Sequence, residues 1–473
     1  MSTGCFVLLR CSPLCVHVIM LYILLTYFII LFVVSRLATR KSTDAAFYRG
    51  DRQSPWYMVA FGMVGASISG VTFVSVPGMV LHSGFTYLEV CAGFIVGYFI
   101  VAYVLLPIYY KENLTSIYEY LKRISDEAYR TGSLFFIISK LLGASAKFYV
   151  PCFIISSVME WNFPLTVVGM LLLVWLYTRR GGIKSLVWTD TLQTLCMLAC
   201  LVLLIYNIQK GTPSSSSVLE NGDYAIFQSF GSVINFLSGI FIVIVMTGLD
   251  QDMMQKNLTC RTLRDAQKDM CTYGFAFLPV NALFLLLGVM LVGTYNASGV
   301  PLPAKPDELL TIYCTGQGGV LLSVFVLGIV ATSFSTVDSA LTALTTSFCL
   351  DIIPGKGGKH KRGVVHFLMT LLLAVCCILF HQWTDMPLID IVYTLVGYTY
   401  GPLLGLFVYA MLNPKRKPLT VLIPCLLSPV LCYVLSWTSE QYWNYHFGYE
   451  LLLINGLLTY IGLFMSKKEF FLR

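Results

Sequence analysis

Apolar runs long enough to cross a bilayer, separated by charged or turn-forming stretches, recur along the whole chain. Thirteen of them stand at 16–35, 56–82, 86–110, 129–158, 163–178, 186–208, 229–249, 271–295, 319–350, 364–382, 387–411, 418–436 and 449–466. A hydrocarbon crossing takes roughly 20 apolar residues as helix, and none of the runs shows the period-two alternation of a barrel strand. The pattern therefore predicts an all-α polytopic membrane protein with about 13 transmembrane helices. The longest polar connections, Gln209–Gln228 and Asn296–Gly318, are too short for a separate soluble domain, so residues 1–473 read as a single membrane domain.

The positions of the basic residues test that count, because a wrong number of crossings scrambles the charge of alternate loops. With Lys140 and Lys147 set aside as intramembrane, the 31 Lys and Arg divide 26 to three. One set of loops holds clusters such as Arg36, Arg40 and Lys41; Arg179, Arg180 and Lys184; Lys256, Arg261, Arg264 and Lys268; and Lys415, Arg416 and Lys417. The alternate loops hold only Arg10, Lys210 and Lys305. The expectation is an N-terminus outside and a C-terminus in the cytoplasm, as an odd number of spans requires. Run 16–35 ends in basic residues instead of a small-residue cleavage site, so it reads as a first membrane span and not a cleaved leader.

Composition agrees with the pattern: 57% of residues are hydrophobic, 12% are charged, and the mean hydropathy is +0.76. The net charge of +7 follows loop topology, which removes the reason to invoke nucleic acid as a partner. Fifteen cysteines and six histidines are dispersed without the spacing of a metal or redox site, and no nucleophile or phosphate-binding motif occurs. An enzyme is not expected.

A charge near the bilayer centre costs about 2.5–3.5 kcal/mol on insertion scales, so the few intramembrane ionisable residues are expected to face the bundle interior. They are Lys140, Lys147, Asp190, Asp250, Asp252 and Asp338, with Asp250 and Asp252 lying near a helix end. Around Asp338, in GIVATSFSTVDSALTALTTSF, residues Thr332, Ser335, Thr336 and Ser339 follow the i, i+3, i+4, i+7 spacing of one helix stripe. Hydroxyls and free carbonyls are the ligands with which a small monovalent cation such as sodium exchanges its hydration shell. Such residues also serve helix packing, bonding to their own i−4 carbonyls, so the stripe alone leaves both uses open. The second run, WYMVAFGMVGASISGVTFVSVPGMVLH, is rich in Gly and Ser and carries Pro77, a composition that favours a discontinuous helix with exposed carbonyls. Gly248 in MTGLDQDMMQ closes the seventh run, where a second half of five spans would begin.

Taken in order, GASISGVTFVSVPG from Gly65, LTSIYEYLKRI from Leu114, GGIKSLVWTDTLQ from Gly181, GLDQDMMQKNL from Gly248 and the hydroxyl-rich stretch resemble the sodium:solute symporter family over about residues 40–411. This group includes sodium-coupled sugar, proline, iodide and sialic acid carriers. The resemblance implies a LeuT-like 5+5 inverted repeat: an extra N-terminal helix at 16–35, repeats at 56–208 and 229–411, and two C-terminal helices at 418–466. It implies a sodium site formed by carbonyls of Gly65, Ile68 and Thr332 with the hydroxyls of Ser335 and Thr336. A candidate second cation site comprises Asp190, Asp338 and Ser339; Asp338 stands where relatives usually carry a hydroxyl, so a second sodium or a proton both fit. Candidate substrate contacts are Ser67, Thr72, Phe73, Lys147 and Asp250. Ser67 replaces the Asn or Asp of other members, and the solute is not specified.

The function implied is a sodium-coupled symporter that imports a small polar organic solute across the cytoplasmic membrane by alternating access. Its partners are the solute, the co-transported sodium ion and the bilayer. A proton-coupled transporter of the same fold, or an ion channel, are the alternatives.

Overall fold

The computed structural model describes residues 13–39, 44–211, 230–355, 358–381, 388–414, 416–445, 447–448 and 450–466. The connection expected at 209–228 lies almost wholly outside these. Among the described residues the secondary structure is helical, with a lone bridge between Ser54 and Cys260.

The chain opens with α1 (Pro13–Ala38) and a short α2 (Asp44–Arg49). The second apolar run is broken in two: α3 (Trp56–Ser67) and α4 (Gly70–Ser83) meet at a 65° bend. Helix α5 (Tyr87–Lys111) contains a π turn at Val101–Leu105. After a 3₁₀ turn at Ile117–Arg123 come α6 (Asp126–Met159), α7 (Phe163–Gly181) and α8 (Ile183–Gly211). Helix α9 (Phe230–Val243) passes through a π turn at Ile244–Gly248, and after a break at Leu249 and Asp250 the chain forms the short α10 (Gln251–Asn257). Next are α11 (Leu263–Ser298), α12 (Leu309–Gln317), α13 (Gly319–Ser347, prolonged to Ile352), α14 (Gly358–Phe380), α15 (Leu388–Leu412), α16 (Leu422–Trp443) and α17 (Leu451–Met465).

Eleven of these helices are long and apolar enough to cross a membrane, or twelve with the bent pair α3 and α4 counted as one span. Helix α17, on the thirteenth apolar run, has 15 residues and is shorter than a full crossing. The stretch expected as a polar loop at 296–318 is partly ordered. Its 3₁₀ turn Pro306–Glu308 packs on α4 so tightly that a Cβ on Gly78 would lie 2.0 Å from the Pro306 carbonyl oxygen.

Burial separates core from lipid-facing helices. The apolar window of α13 is 78% buried, against 28% for those of α1 and α16, whose outward faces carry exposed Ile, Leu and Val. An apolar helix with most of its surface exposed is soluble only in lipid, whereas α13 is surrounded by protein. It packs against α8, α6, α14, the break between α3 and α4, and α10. That placement puts the hydroxyl stripe at the centre of the bundle, where an oxygen-rich helix finds partners and not lipid.

Candidate functional site

The break in the second run is where the site begins. Ile68 N–H closes the last turn of α3 on the Val64 carbonyl at 3.2 Å, and Ser69 adopts an extended conformation. Helical geometry would give the Ser69 N–H to the Gly65 carbonyl, but that donor bonds instead to the Thr72 hydroxyl at 3.3 Å. The break is clamped from both sides by close approaches that only glycine allows. A Cβ on Gly65 would fall 2.0 Å from Thr194 Oγ1 of α8, and one on Gly70 2.4 Å from Ser333 Oγ of α13.

Of the five residues expected to hold sodium, Thr336 touches the break directly, Thr332 accepts its hydroxyl, and Gly65 and Ile68 stand on either side of the Ala66 that it reaches. From α13 the Thr336 hydroxyl reaches across to the Ala66 carbonyl at 3.1 Å and back to the Thr332 carbonyl at the same distance. Ser335 Oγ donates to Asp190 Oδ1 of α8 at 2.9 Å. Thr332 turns its own hydroxyl to the Gly328 and Ile329 carbonyls, so its contribution to the break is a backbone oxygen. Gly65 and Ile68 are buried at the end of α3. Hydroxyls of α13 thus reach a carbonyl of α3 and a carboxylate of α8.

One turn away, the residues of the candidate second cation site also come together. Ser339 Oγ lies 3.5 Å from Asp190 Oδ2 and 3.2 Å from Asp338 Oδ1, and Tyr177 OH donates to Asp338 Oδ2 at 2.6 Å. A residue assigned from sequence to a cytoplasmic loop completes the group: Lys256, on α10, is 2% exposed and sets its Nζ 2.8 Å from Asp190 Oδ2. Its placement in the solvated basic cluster was mistaken because α10 turns inward after the break at Asp250. The signal available was position alone, since Lys256 lies six residues after that aspartate on a short helix.

Beside the break lies a cavity of about 120 Å³ reached by Ser67, Thr72, Lys140, Lys147, Asp250 and Tyr400, among others. Four of the five candidate substrate contacts line it. Ser67 bonds to Tyr273 OH across the cavity wall, and Thr72 combines lining with its role in capping α4. Asp250 is already engaged: Oδ2 accepts from Lys140 Nζ at 3.0 Å and from Tyr400 OH at 2.8 Å, while Oδ1 accepts from Asp252 N–H at 2.8 Å. Phe73 departs from expectation. It is fully buried in the core against Phe284 and Phe325, with ring centroids 5.1 and 6.3 Å away, because it projects to the side of α4 facing α11 and α13. Lys140 and Asp252 were expected as interior charges but not as partners of Asp250, and Tyr400 was missed; Lys140 Nζ also lies 2.7 Å from Asp252 Oδ2.

Residues 47–266 match the sodium:solute symporter family. The sodium-dependent multivitamin transporter of Oryctolagus cuniculus is 23% identical over 423 residues, covering 83% of this chain and 65% of that protein. The chain therefore spans about 65% of that relative's length. The sodium/sialic acid symporter NanT of Aliivibrio fischeri is 24% identical over 446 residues, covering 89% of this chain and 88% of the relative. Among solved structures, a substrate-bound, outward-open sodium-coupled sialic acid symporter superposes with a TM-score of 0.82 at 18% identity over 95% of this chain and 97% of that one. The closed form of Mhp1, a nucleobase-cation-symport-1 family transporter, gives a TM-score of 0.55 at 14% identity, covering 90% of this chain and 94% of that one. Over residues 47–266 the chain thus resembles the sodium:solute symporter family, and its relatives at 23–24% identity are sodium-coupled transporters.

Proposed function

We propose that the protein is a sodium-coupled symporter that imports a small polar organic solute across the cytoplasmic membrane by alternating access. The observation that carries it is the Thr336 hydroxyl joining the Ala66 carbonyl at the helix break, beside Ser335 and the Thr332 carbonyl. A sodium ion needs several oxygen dipoles in place of water, and a helix break offers them where a continuous helix does not. The donors fit the ion: Gly65, Ile68 and Thr332 supply backbone oxygens, and Ser335 and Thr336 supply hydroxyls. Relatives named for sodium dependence support the reading.

On this reading all thirteen apolar runs span, α17 included, with the N-terminus outside and the C-terminus cytoplasmic. The two broken helices, α3 with α4 and α9 with α10, occupy corresponding places in repeats at 56–208 and 229–411, as inverted-repeat transporters require. Helix 16–35 precedes the repeats and two helices at 418–466 follow. Sodium, bound where α3 and α13 meet, stabilises the conformation that holds those helices together. Only its differential affinity for the two conformations moves the equilibrium.

At the second site the positive charge comes from the protein itself. Lys256 neutralises Asp190, while Asp338 accepts bonds from Tyr177 and Ser339 with no Lys, Arg or His within 4 Å among the described residues. That feature makes a proton on Asp338 the one secondary reading of coupling, since a carboxylate in the bundle interior without a cationic partner marks a pathway residue. Uptake into proteoliposomes tests the main reading: an inward sodium gradient drives concentrative uptake, whereas a proton gradient alone driving it equally would replace sodium by protons.

A further inference from the structure

Away from the transport site, the ends of α1 and α7 lie side by side and carry their arginines along one edge. Arg36 stands in the last turn of α1, and Arg179 and Arg180 in the last turn of α7. Two adjoining clefts, of about 530 and 180 Å³, open between these ends and share Phe32, Arg36, Thr39 and Arg180 as walls, with Arg179 bordering the smaller one. The two ends are fixed to each other. Ser35 Oγ donates to the Tyr177 carbonyl at 2.8 Å, and Thr39 packs so closely on α7 that a Cβ on Gly181 would lie 2.3 Å from its Cγ2. The arginines stand between these two pins along each helix, so the basic edge is preformed.

A basic residue in the last turn of a helix ordinarily answers the partial negative charge of that end. Two helix ends carry roughly one elementary charge between them, and Arg36 with Arg179 already exceed it by about one. Neither cleft is lined by Asp or Glu, and among the described residues no carboxylate lies within 4 Å of Arg36 or Arg179. Next to the guanidinium groups the wall is apolar: Val33 and Leu37 line the larger cleft and are 51% and 55% exposed on a helix that faces lipid. The edge therefore calls for two things at once, a negative charge rich in acceptor oxygens and an apolar body that runs from it along α1.

We infer that this edge binds an anionic phospholipid, its phosphate on Arg36 and Arg179 with Arg180 beside them and an acyl chain along Val33 and Leu37. The orientation proposed above makes it a lipid of the cytoplasmic leaflet. The planar fork of arginine matches phosphate oxygens two at a time, and basic pockets between membrane helices on that side recognise headgroups in this way. Inorganic phosphate lacks the apolar body, and a zwitterionic lipid brings its own cation to a site that already holds several. The turn that carries Tyr177 serves both regions, since its carbonyl takes Ser35 beside the clefts and its hydroxyl donates to Asp338 Oδ2 at 2.6 Å. The occupied cleft is thus one residue removed from the candidate second cation site.

The test is isothermal titration calorimetry on the purified, delipidated full chain in a nonionic detergent, with dioctanoyl phosphatidylglycerol, dioctanoyl phosphatidylcholine and inorganic phosphate as probes. Phosphatidylglycerol binds saturably, and the other two do not at the same concentrations. Each arginine removed weakens binding roughly fivefold, so Arg36→Gln with Arg179→Gln weakens it roughly 25-fold. Arg261→Gln with Arg264→Gln takes two exposed charges from the same set of loops, outside the clefts, and leaves binding as it was. Val33→Trp keeps every arginine but fills the apolar wall, and it weakens binding of the lipid, which holds the test even if the double arginine variant fails to fold. Equal weakening by the two arginine pairs, equal binding of phosphatidylcholine, or no saturable binding overturns the site. Inorganic phosphate binding as tightly as phosphatidylglycerol, with Val33→Trp without effect, makes it a site for a small anion and overturns the lipid. Sodium plays no part in this readout, so loss of the sodium response would defeat the symporter reading and leave the lipid site standing.

Discussion

Lys256 Nζ lies 2.8 Å from Asp190 Oδ2, with both side chains at 2% exposure or less, so an ammonium of the chain itself sits where the Asp190 carboxylate faces the hydroxyl stripe. Removing one partner of such a buried pair strands the other charge, at a cost of about 3–5 kcal/mol. Lys256→Met is expected to lower the unfolding temperature sharply, and adding Asp190→Asn to recover most of the loss. Because Ser335 and Ser339 still place hydroxyl oxygens beside Asp190, where a cation could use them, sodium should rescue the single variant more than it stabilises the unaltered protein. Thermal unfolding of the two variants across a sodium series checks both outcomes.

Helix α11 crosses α4 at a point that tolerates no side chain. A Cβ on Gly288 would lie 2.1 Å from the Pro77 carbonyl oxygen, and a backbone atom cannot swing aside as a side chain would. Gly288→Ala is expected to destabilise by about 1–3 kcal/mol, the range for overpacking. Gly169→Ala is the control. Nothing lies within 4 Å of its added methyl group, so it should stabilise α7 by about 0.5–1 kcal/mol through the lost freedom of glycine. Melting temperatures of the two variants, measured in the same detergent, should move in opposite directions.

Asp351 ties three elements at the end of the bundle proposed to face the cytoplasm. Oδ2 accepts from Ser116 at 2.7 Å and from Ser347 at 2.5 Å, and Oδ1 accepts from Tyr129 OH at 2.8 Å. These bonds join the Ile117–Arg123 turn and α6 to the end of α13, and hydrogen bonds to a charged group are each worth about 1.5–3 kcal/mol. Losing them in Asp351→Ala should open that end and raise the rate at which Cys349, now 6% exposed, reacts with a maleimide, by roughly tenfold or more. The measurement uses a background in which the other cysteines are replaced. An unchanged rate would show that Asp351 is not part of the closure.

Hydropathy and loop charge made the helices and their order legible, because lipid leaves a chain few ways to satisfy its backbone. The break at Ile68 and Ser69 was legible from Gly and Ser, and the stripe from its 3.6-residue period. What stayed hidden was pairing between distant segments. Lys256 looked like a solvated loop charge because it stands in a basic cluster, and only the inward turn of α10 carries it to Asp190. Lys140 gave no hint that it would take both Asp250 and Asp252, since sequence shows spacing within a helix but not the register between α6 and α10. Phe73 was expected from the resemblance as a wall beside the solute, and the rotation of α4 sends it to the core instead.

Sodium is expected to bind where the broken helix meets α13. A bound ion stabilises the folded protein by mass action, by about 2.7 kcal/mol at a hundredfold excess over its dissociation constant. The direct measurement is the melting temperature of the purified protein in sodium against potassium or choline at equal ionic strength, with the Ser335→Ala, Thr336→Ala double variant alongside. A sodium-specific rise that the double variant loses is the expected result. Equal melting temperatures in all three cations at every pH, or a sodium rise that survives the double substitution, would contradict the account.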